Sequence, residues 1–340
     1  MRYRRIGDSD LEVSEIALGS WLTFAGGVGF DAARACTEAA LDAGITLFDT
    51  ANMYGRGEAE RAWGEILSAY PRDSYVLATK VWGPMSDTDR GLSAAQIAKQ
   101  IDASLTRLRT DHVDLYYAHR FDTRVPVEET VEAFQRVVAE GKARYIGFSE
   151  WLPEQIEAAV AIAGPGLFVA SQPQYSMLWR APEPEVFPLA ERIGASQVAW
   201  SPLAQGILTG KYRPDQPFPA GSRAADPEQA RFFDLVLRPG VLEAVQRLRP
   251  VADGLGITMA QLALAWALRR SEVAAVITGA SRPEQVRANA QASGVTLPTE
   301  VLEQVDAALG AVPVVEPTPA LYVEPGVLHR GDLAGRPETA

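Results

Sequence analysis

The sequence predicts an α/β protein: a closed (β/α)8 barrel with an N-terminal β-hairpin and long loops over its C-terminal face. Three observations predict it. Eight short apolar runs each precede a segment of helical periodicity. The runs are continuous instead of alternating, as strands buried on both faces must be. No break in composition divides the 340 residues, so one barrel over residues 1–311 accounts for the chain better than two domains. A doubly wound open sheet is the competing class. Its Gly-x-Gly-x-x-Gly turn is missing, because Gly26-Gly27-Val28-Gly29 has no third glycine at the required offset.

Residues 2–13 read as a hairpin about Gly7-Asp8-Ser9-Asp10. The first barrel strand is Ile16–Gly19, and after Gly26, Gly27 and Gly29 a helix runs from Asp31 to Ala43. Gly44 closes that helix, since glycine takes the left-handed conformation of a helix end without penalty. Strand Ile45–Asp49 starts at once, and Ala59, Trp63, Ile66 and Leu67 then repeat at helical spacing. Strand Tyr75–Val81 leads to helix Ala94–Leu108, for which Ser93 offers an N-cap oxygen. Strand Val113–Ala118 and helix Val127–Glu140 repeat the unit, and Gly141 ends it. Strand Ala143–Phe148, helix Pro153–Ala163, strand Phe168–Gln172, helix Pro184–Ile193 and strand Val198–Ser201 follow. A Pro/Gly-rich segment, about 202–239, is long enough to be a covering loop. Helices Val241–Leu255 and Thr258–Arg269, strand Val273–Thr278 and a helix from Pro283 to Ser293 complete the series. Residues 312–340 form a proline-rich tail, either docked or disordered.

Composition narrows the function. A hydrophobic content of 47% supports a large core, and a net charge of −11 disfavours nucleic acid and anionic membrane as partners. Cys36 is the only cysteine, so neither an intrachain disulfide nor a cysteine zinc cage exists, and no metal site is expected. The N-terminus lacks a signal-peptide core and no apolar run is long enough to cross a bilayer. A soluble cytoplasmic protein is the expectation. A homo-oligomer is compatible with the chain, and no residue pattern specifies one.

Chemistry in β/α folds gathers at the carboxyl ends of strands. Four polar residues stand there: Asp49 and, on the loop after it, Tyr54; Lys80; and His119. Singly each has a structural explanation. Together they form a proton-transfer device. A phenol with a pKa of about 10 is a poor acid near neutrality, and a neighbouring ammonium favours its phenolate. Lys80 supplies the ammonium and Asp49 the counter-ion that burial of a cation demands. A neutral His119 can donate a hydrogen bond to a carbonyl oxygen. The set suits carbonyl reduction. Trp21, Phe24, Tyr54, Trp82, His119, Trp151 and Trp179 are candidates for the wall of an apolar substrate pocket. Arg120 serves an anionic substrate or, more in keeping with its neighbours, pairs with Asp122.

The run Asp49-Thr50-Ala51-Asn52-Met53-Tyr54-Gly55-Arg56-Gly57-Glu58-Ala59-Glu60 resembles the signature of the aldo-keto reductase superfamily. So do Lys80 in Leu77-Ala78-Thr79-Lys80 and the block from Val113 to Arg120. The likeness extends from Leu18-Gly19-Ser20-Trp21 to Gly279-Ala280-Ser281-Arg282. His119-Arg120-Phe121-Asp122-Thr123-Arg124, Gly147-Phe148-Ser149-Glu150-Trp151 and Trp200-Ser201-Pro202-Leu203-Ala204-Gln205-Gly206 most resemble the branch holding bacterial aldo-keto reductases and potassium-channel β subunits. Channel subunits carry asparagine at the place of His119, a departure that points towards an ordinary reductase.

The resemblance implies a TIM barrel and a nicotinamide cofactor, NADP(H), lying across its mouth, with a small carbonyl compound as the partner. It places Ser149, Gln172 and Trp200 at the nicotinamide, near Ser20, Trp21 and Asp49. It places Ser201, Pro202, Leu203, Gln205 and Gly206 at the pyrophosphate, and Lys211 and Arg223 over it. Beyond Gly279, Ser281 is read as the cap of the last helix, whose N-terminus suits a phosphate. Arg282 adds the planar donors wanted by a ribose 2′-phosphate. Gln285 and Asn289, a turn apart, face the adenine, while Ala288 stands where the family often has glutamate. Two other functions compete. A barrel aldolase would use Lys80 as a Schiff-base nucleophile, and a cofactor-sensing module like the channel subunits would turn over little.

Overall fold

Eight parallel strands close on themselves in the order Val273–Thr278, Ile16–Gly19, Leu47–Asp49, Val76–Val81, Val113–Ala118, Ala143–Phe148, Phe168–Ser171 and Ser196–Trp200. This is the (β/α)8 barrel that the apolar runs predict. The computed structural model describes residues 1–21, 23–24, 27–226 and 236–316. Leu22 and Gly26 of the glycine-rich turn, residues 227–235 of the long segment and the tail beyond 316 lie outside the described residues.

Alternation along each strand divides the core into two layers. Ala17, Leu47, Ala78, Leu115, Tyr117, Val198, Ala275 and Ile277 cluster inside the barrel. Ile16, Leu18, Phe48, Leu77, Tyr116, Ile146 and Phe148 belong to the outer layer, with Trp63, Ile101 and Phe134 of the helices. The predicted hairpin pairs Tyr3–Arg5 with Glu12–Ser14, and its Ile6, Leu11 and Val13 join the inner cluster. It closes the end of the barrel opposite the strand carboxyl termini, where Asp8 N–H donates to Gly194 O at 2.9 Å.

Several boundaries differ from the sequence reading. The second barrel strand begins at Leu47 instead of Ile45, because Ser14 and Thr46 bond each other's backbone N–H through their hydroxyls at 3.0 and 2.9 Å. The stretch Val241–Leu255 is two helices, Val241–Gln246 and Arg249–Gly254. Pro250 has no N–H for the carbonyl of Gln246, so one continuous helix cannot form there. Helix Thr299–Leu309, absent from the sequence reading, packs Val305 and Leu309 inward. Ser93 caps its helix through Gln96 N–H, and Thr258 and Gln261 form a reciprocal capping box. Gly64 sets the approach of helix Glu58–Leu67 to helix Ala94–Leu108: a Cβ there would stand 2.1 Å from Arg107 O. Among the described residues, no single helix is long and apolar enough to cross a membrane.

Candidate active site

Asp49 and Lys80 come from adjacent strands and meet in the interior. Lys80 has no exposed surface and Asp49 is 4% exposed. The Lys80 Nζ donates to Asp49 Oδ1 at 2.5 Å and to Thr50 O at 2.7 Å. Burial pushes the Lys80 pKa down, and the Asp49 carboxylate acts against that push. Asp49 Oδ2 in turn accepts from Gln172 Nε2 at 2.9 Å. Ser149 Oγ donates to Gln172 O at 2.7 Å and accepts from Arg120 Nη1 at 3.1 Å. Ser20 completes the ring from the other side, donating to Thr50 Oγ1 at 2.8 Å.

Tyr54 opens the short turn Tyr54–Gly57. Lys80 Nζ lies 5.3 Å from the centre of its ring, and its hydroxyl is 3.5 Å from His119 Nε2. All four strand-end groups therefore share one neighbourhood. Burial, then Arg120, then Lys80 hold the His119 pKa well below the usual histidine value, so the ring is neutral near pH 7. Its buried Nδ1 has no hydrogen-bond partner. An orphaned lone pair is less costly than an orphaned N–H, which favours the tautomer with hydrogen on Nε2. That tautomer directs a donor to the side of the phenol.

The aromatics divide. Trp21 stands at the mouth, 6.4 Å from the Tyr54 ring and 5.9 Å edge-on from Trp200. Trp200 is oriented by a hydrogen bond from Nε1 to Glu150 Oε1 at 2.9 Å, a partner the sequence reading missed. Three residues assigned to the pocket wall pack elsewhere. Phe24 lies edge-on to Trp63 at 5.7 Å, in the outer layer. Trp151 packs among Phe121, Phe148 and Phe168, also outside the barrel. Trp179 clusters with Ala181 and Val314, the latter at the start of the 312–340 tail, which is docked there. Trp82 is buried at its strand end and its Nε1 lacks an acceptor. The Asp122 carboxylate is taken by Arg124 at 3.1 Å and by Leu92 N–H at 3.0 Å, while Arg120 bonds His119 O and Ser149.

A second set of groups lines the way from Trp200 to the last strand. Ser201, Ala204, Gln205 and Gly206 all have positive φ, from 47° to 93°. Such conformations cost energy in non-glycine residues; Ala204 N–H and Gly206 N–H close the turn on Ser201 O and Leu203 O, both at 2.9 Å. Pro202 and Leu203 lie within this turn. Gln205 donates to Ser201 Oγ at 3.0 Å and accepts from Arg223 Nη1 at 2.5 Å. The guanidinium of Arg223 stands 3.9 Å from the position a Cβ would take on Gly279. No carboxylate of the described residues pairs with Arg223, and burial pushes its pKa down. A desolvated cation beside a left-handed turn fits a phosphate group well. Exposed Lys211 lies against Gly206.

Helix Pro283–Ala290 differs in detail from its sequence reading. Its N-cap residue is Arg282, with no side-chain cap. Ser281 instead bonds Gln285 Oε1 through N–H at 2.8 Å and Oγ at 3.1 Å. Gln285 is thereby turned towards the helix start, while Asn289 is buried and Arg282 is exposed.

The model of the Aldo/keto reductase family matches residues 15–309. A probable voltage-gated potassium channel subunit beta of Oryza sativa subsp. japonica is 38% identical over 325 residues, 92% of this chain and 98% of that protein. Its counterpart in Arabidopsis thaliana is 37% identical over the same shares. A putative voltage-gated potassium channel subunit beta of Schizosaccharomyces pombe is 38% identical over 92% of this chain and 94% of its own length.

Proposed function

The chain belongs to the aldo/keto reductase family, and on that premise we propose that it reduces an aldehyde or ketone to an alcohol with NADPH. One observation carries the reading: the Tyr54 hydroxyl lies 3.5 Å from His119 Nε2, with the salt-bridged Lys80 ammonium 5.3 Å from the phenol ring. The cofactor, when bound, supplies a hydride. The chain supplies everything else. His119, neutral, donates to the carbonyl oxygen and fixes its direction. Tyr54 gives that oxygen its proton as negative charge develops on it. Lys80 stabilises the phenolate left behind, and Asp49 keeps Lys80 charged inside the barrel. The turn Ser201–Gly206, with Lys211 and Arg223, is proposed to hold the pyrophosphate. Ser281, Arg282, Gln285 and Asn289 are proposed to hold the adenine end. Trp21, Trp82 and Trp200 are proposed to wall the place of a substrate with an apolar or aromatic body.

Tyr54→Phe tests this. Turnover of an aldehyde panel should fall by about 10²–10⁴-fold, while NADPH affinity, read by fluorescence titration, stays nearly unchanged. Unchanged turnover would defeat the assignment. The names of the relatives favour a second reading, a cofactor-sensing subunit of a larger assembly. Tight NADPH binding with negligible oxidation by every aldehyde in the panel would support it.

A further inference from the structure

A second buried ion pair lies behind the barrel wall, in the layer between strands and helices. Glu60, on helix Glu58–Leu67, has no exposed surface. It accepts from Thr79 Oγ1 and from Arg107 Nε, both at 2.6 Å. Arg107, on helix Ala94–Leu108, also donates to Ser104 Oγ at 3.1 Å. Two of these contacts lead directly to the site. Thr79 immediately precedes Lys80 on strand Val76–Val81. The stem of Arg107 lies on Gly57, the last residue of the turn that Tyr54 opens, where a Cβ would stand 2.6 Å from Arg107 Cδ.

Proton transfer at the mouth needs no charge at this depth, and a buried pair is often no more stable than apolar residues of the same volume. What the pair does offer is directional geometry. A carboxylate bonded at both oxygens fixes a strand, a helix and a turn relative to one another. We propose that Glu60 and Arg107 are positioning residues that hold the Tyr54 turn in register with the Lys80 strand. The consequence for turnover rests on the carbonyl-reductase reading, whereas the mechanical link rests on the contacts alone. The Glu60 charge acts in the same direction, favouring the ammonium of Lys80 alongside Asp49 and against burial and Arg120.

Arg107 can be reached from solvent. Together with Phe24, Phe30, Gly55, Arg61 and Arg109 it lines a groove of about 590 Å³ on the outside of the barrel. Guanidinium ion can therefore enter the space that Arg107→Ala would open. The test is hydrogen exchange by mass spectrometry on the full, ligand-free chain, with aldehyde turnover measured in parallel. Four forms are compared: wild type, Arg107→Ala, the neutral pair Glu60→Gln with Arg107→Met, and Arg61→Ala as a control.

Exchange in peptides covering 52–57 and 78–81 should quicken by about tenfold or more in both test variants, with strands Phe168–Ser171 and Ser196–Trp200 unmoved. Turnover should fall by about tenfold to a hundredfold at nearly constant KM and NADPH affinity. Millimolar guanidinium should reverse both effects in Arg107→Ala and change neither wild type nor the control. The neutral pair leaves no lone buried charge, so it keeps the test open if Arg107→Ala fails to fold. Unaltered exchange at both segments in the neutral pair would overturn the inference, as would a uniform rise over the whole barrel. Absence of turnover in wild type, with the local exchange pattern intact, would remove the reductase reading and leave the positioning role standing.

Discussion

Asp49→Asn isolates the counter-ion of a fully buried lysine. In the wild-type chain Lys80 Nζ has two acceptors, Asp49 Oδ1 at 2.5 Å and Thr50 O at 2.7 Å. The variant keeps the second, offers a neutral amide oxygen at the first, and leaves an ammonium with no carboxylate against it. Breaking a buried pair in this way costs about 3–5 kcal/mol. A ceiling follows from the lysine itself, which can lose its proton. Holding a lysine of ordinary pKa about 10.4 neutral costs about 4.6 kcal/mol at pH 7 and about 1.9 kcal/mol at pH 9. The sign is therefore fixed. With the folded pKa below the unfolded one, the unfolded chain binds more protons, so the stability of the variant rises with pH. Urea unfolding of both chains at pH 7, 8 and 9 should show the deficit of Asp49→Asn shrinking by up to about 1.4 kcal/mol for each pH unit. A deficit independent of pH would mean that Lys80 stays charged without Asp49. A deficit under about 1 kcal/mol, the range of exposed pairs, would mean that the pair is not buried.

Three further outcomes are expected. His119 is held neutral well below the usual histidine range, so turnover should show no histidine titration between pH 6 and 7.5; a limb centred near 6.5 would remove its neutral role. Arg282→Ala should weaken NADPH far more than NADH, and equal losses in paired fluorescence titrations would defeat the 2′-phosphate assignment. Gly57→Ala should destabilise the chain by about 1–3 kcal/mol in chemical unfolding, through strain at φ +92° and the collision with Arg107; a neutral change would refute both the backbone strain and the tight contact.

The strand order and the four strand-end groups were legible because each depends on a local signal. Asp49 and Lys80 are lone charges at or near the ends of apolar runs, and strand ends converge once a barrel closes. Past the last paired residue, alternation no longer says which way a side chain points. Phe24 and Trp151 lie in that zone, and both turn outward to the helices. Trp179 depends on Val314, well over a hundred residues away, whose N–H donates to Leu178 O at 3.0 Å. No periodicity encodes such a contact. Glu60 did leave a signal that went unused. It stands at i relative to Trp63, Gly64 and Leu67, on the buried stripe of its helix, and an acid there demands a partner within the fold. Helix Pro283–Ala290 starts at the expected residue, so the capping position falls on Arg282, one residue past Ser281.

The charges at the barrel mouth explain one another. Lys80 and Arg120 both act to keep His119 neutral, and burial reinforces them. The same two cations would stabilise negative charge developing on a substrate oxygen within reach of His119 and Tyr54. A protonated imidazole would add a third positive charge in a space with one nearby acid committed to Lys80, and its cost would fall on the folded state. A neutral imidazole avoids that cost and still donates a hydrogen bond. Lys80 is constrained in the opposite sense: neutral, it would neither hold Asp49 in place nor favour a phenolate. The proposed chemistry thus requires one buried base to stay charged and its neighbour to stay uncharged. Placing Asp49 against the lysine and the imidazole beside the two cations produces that division in a single pocket.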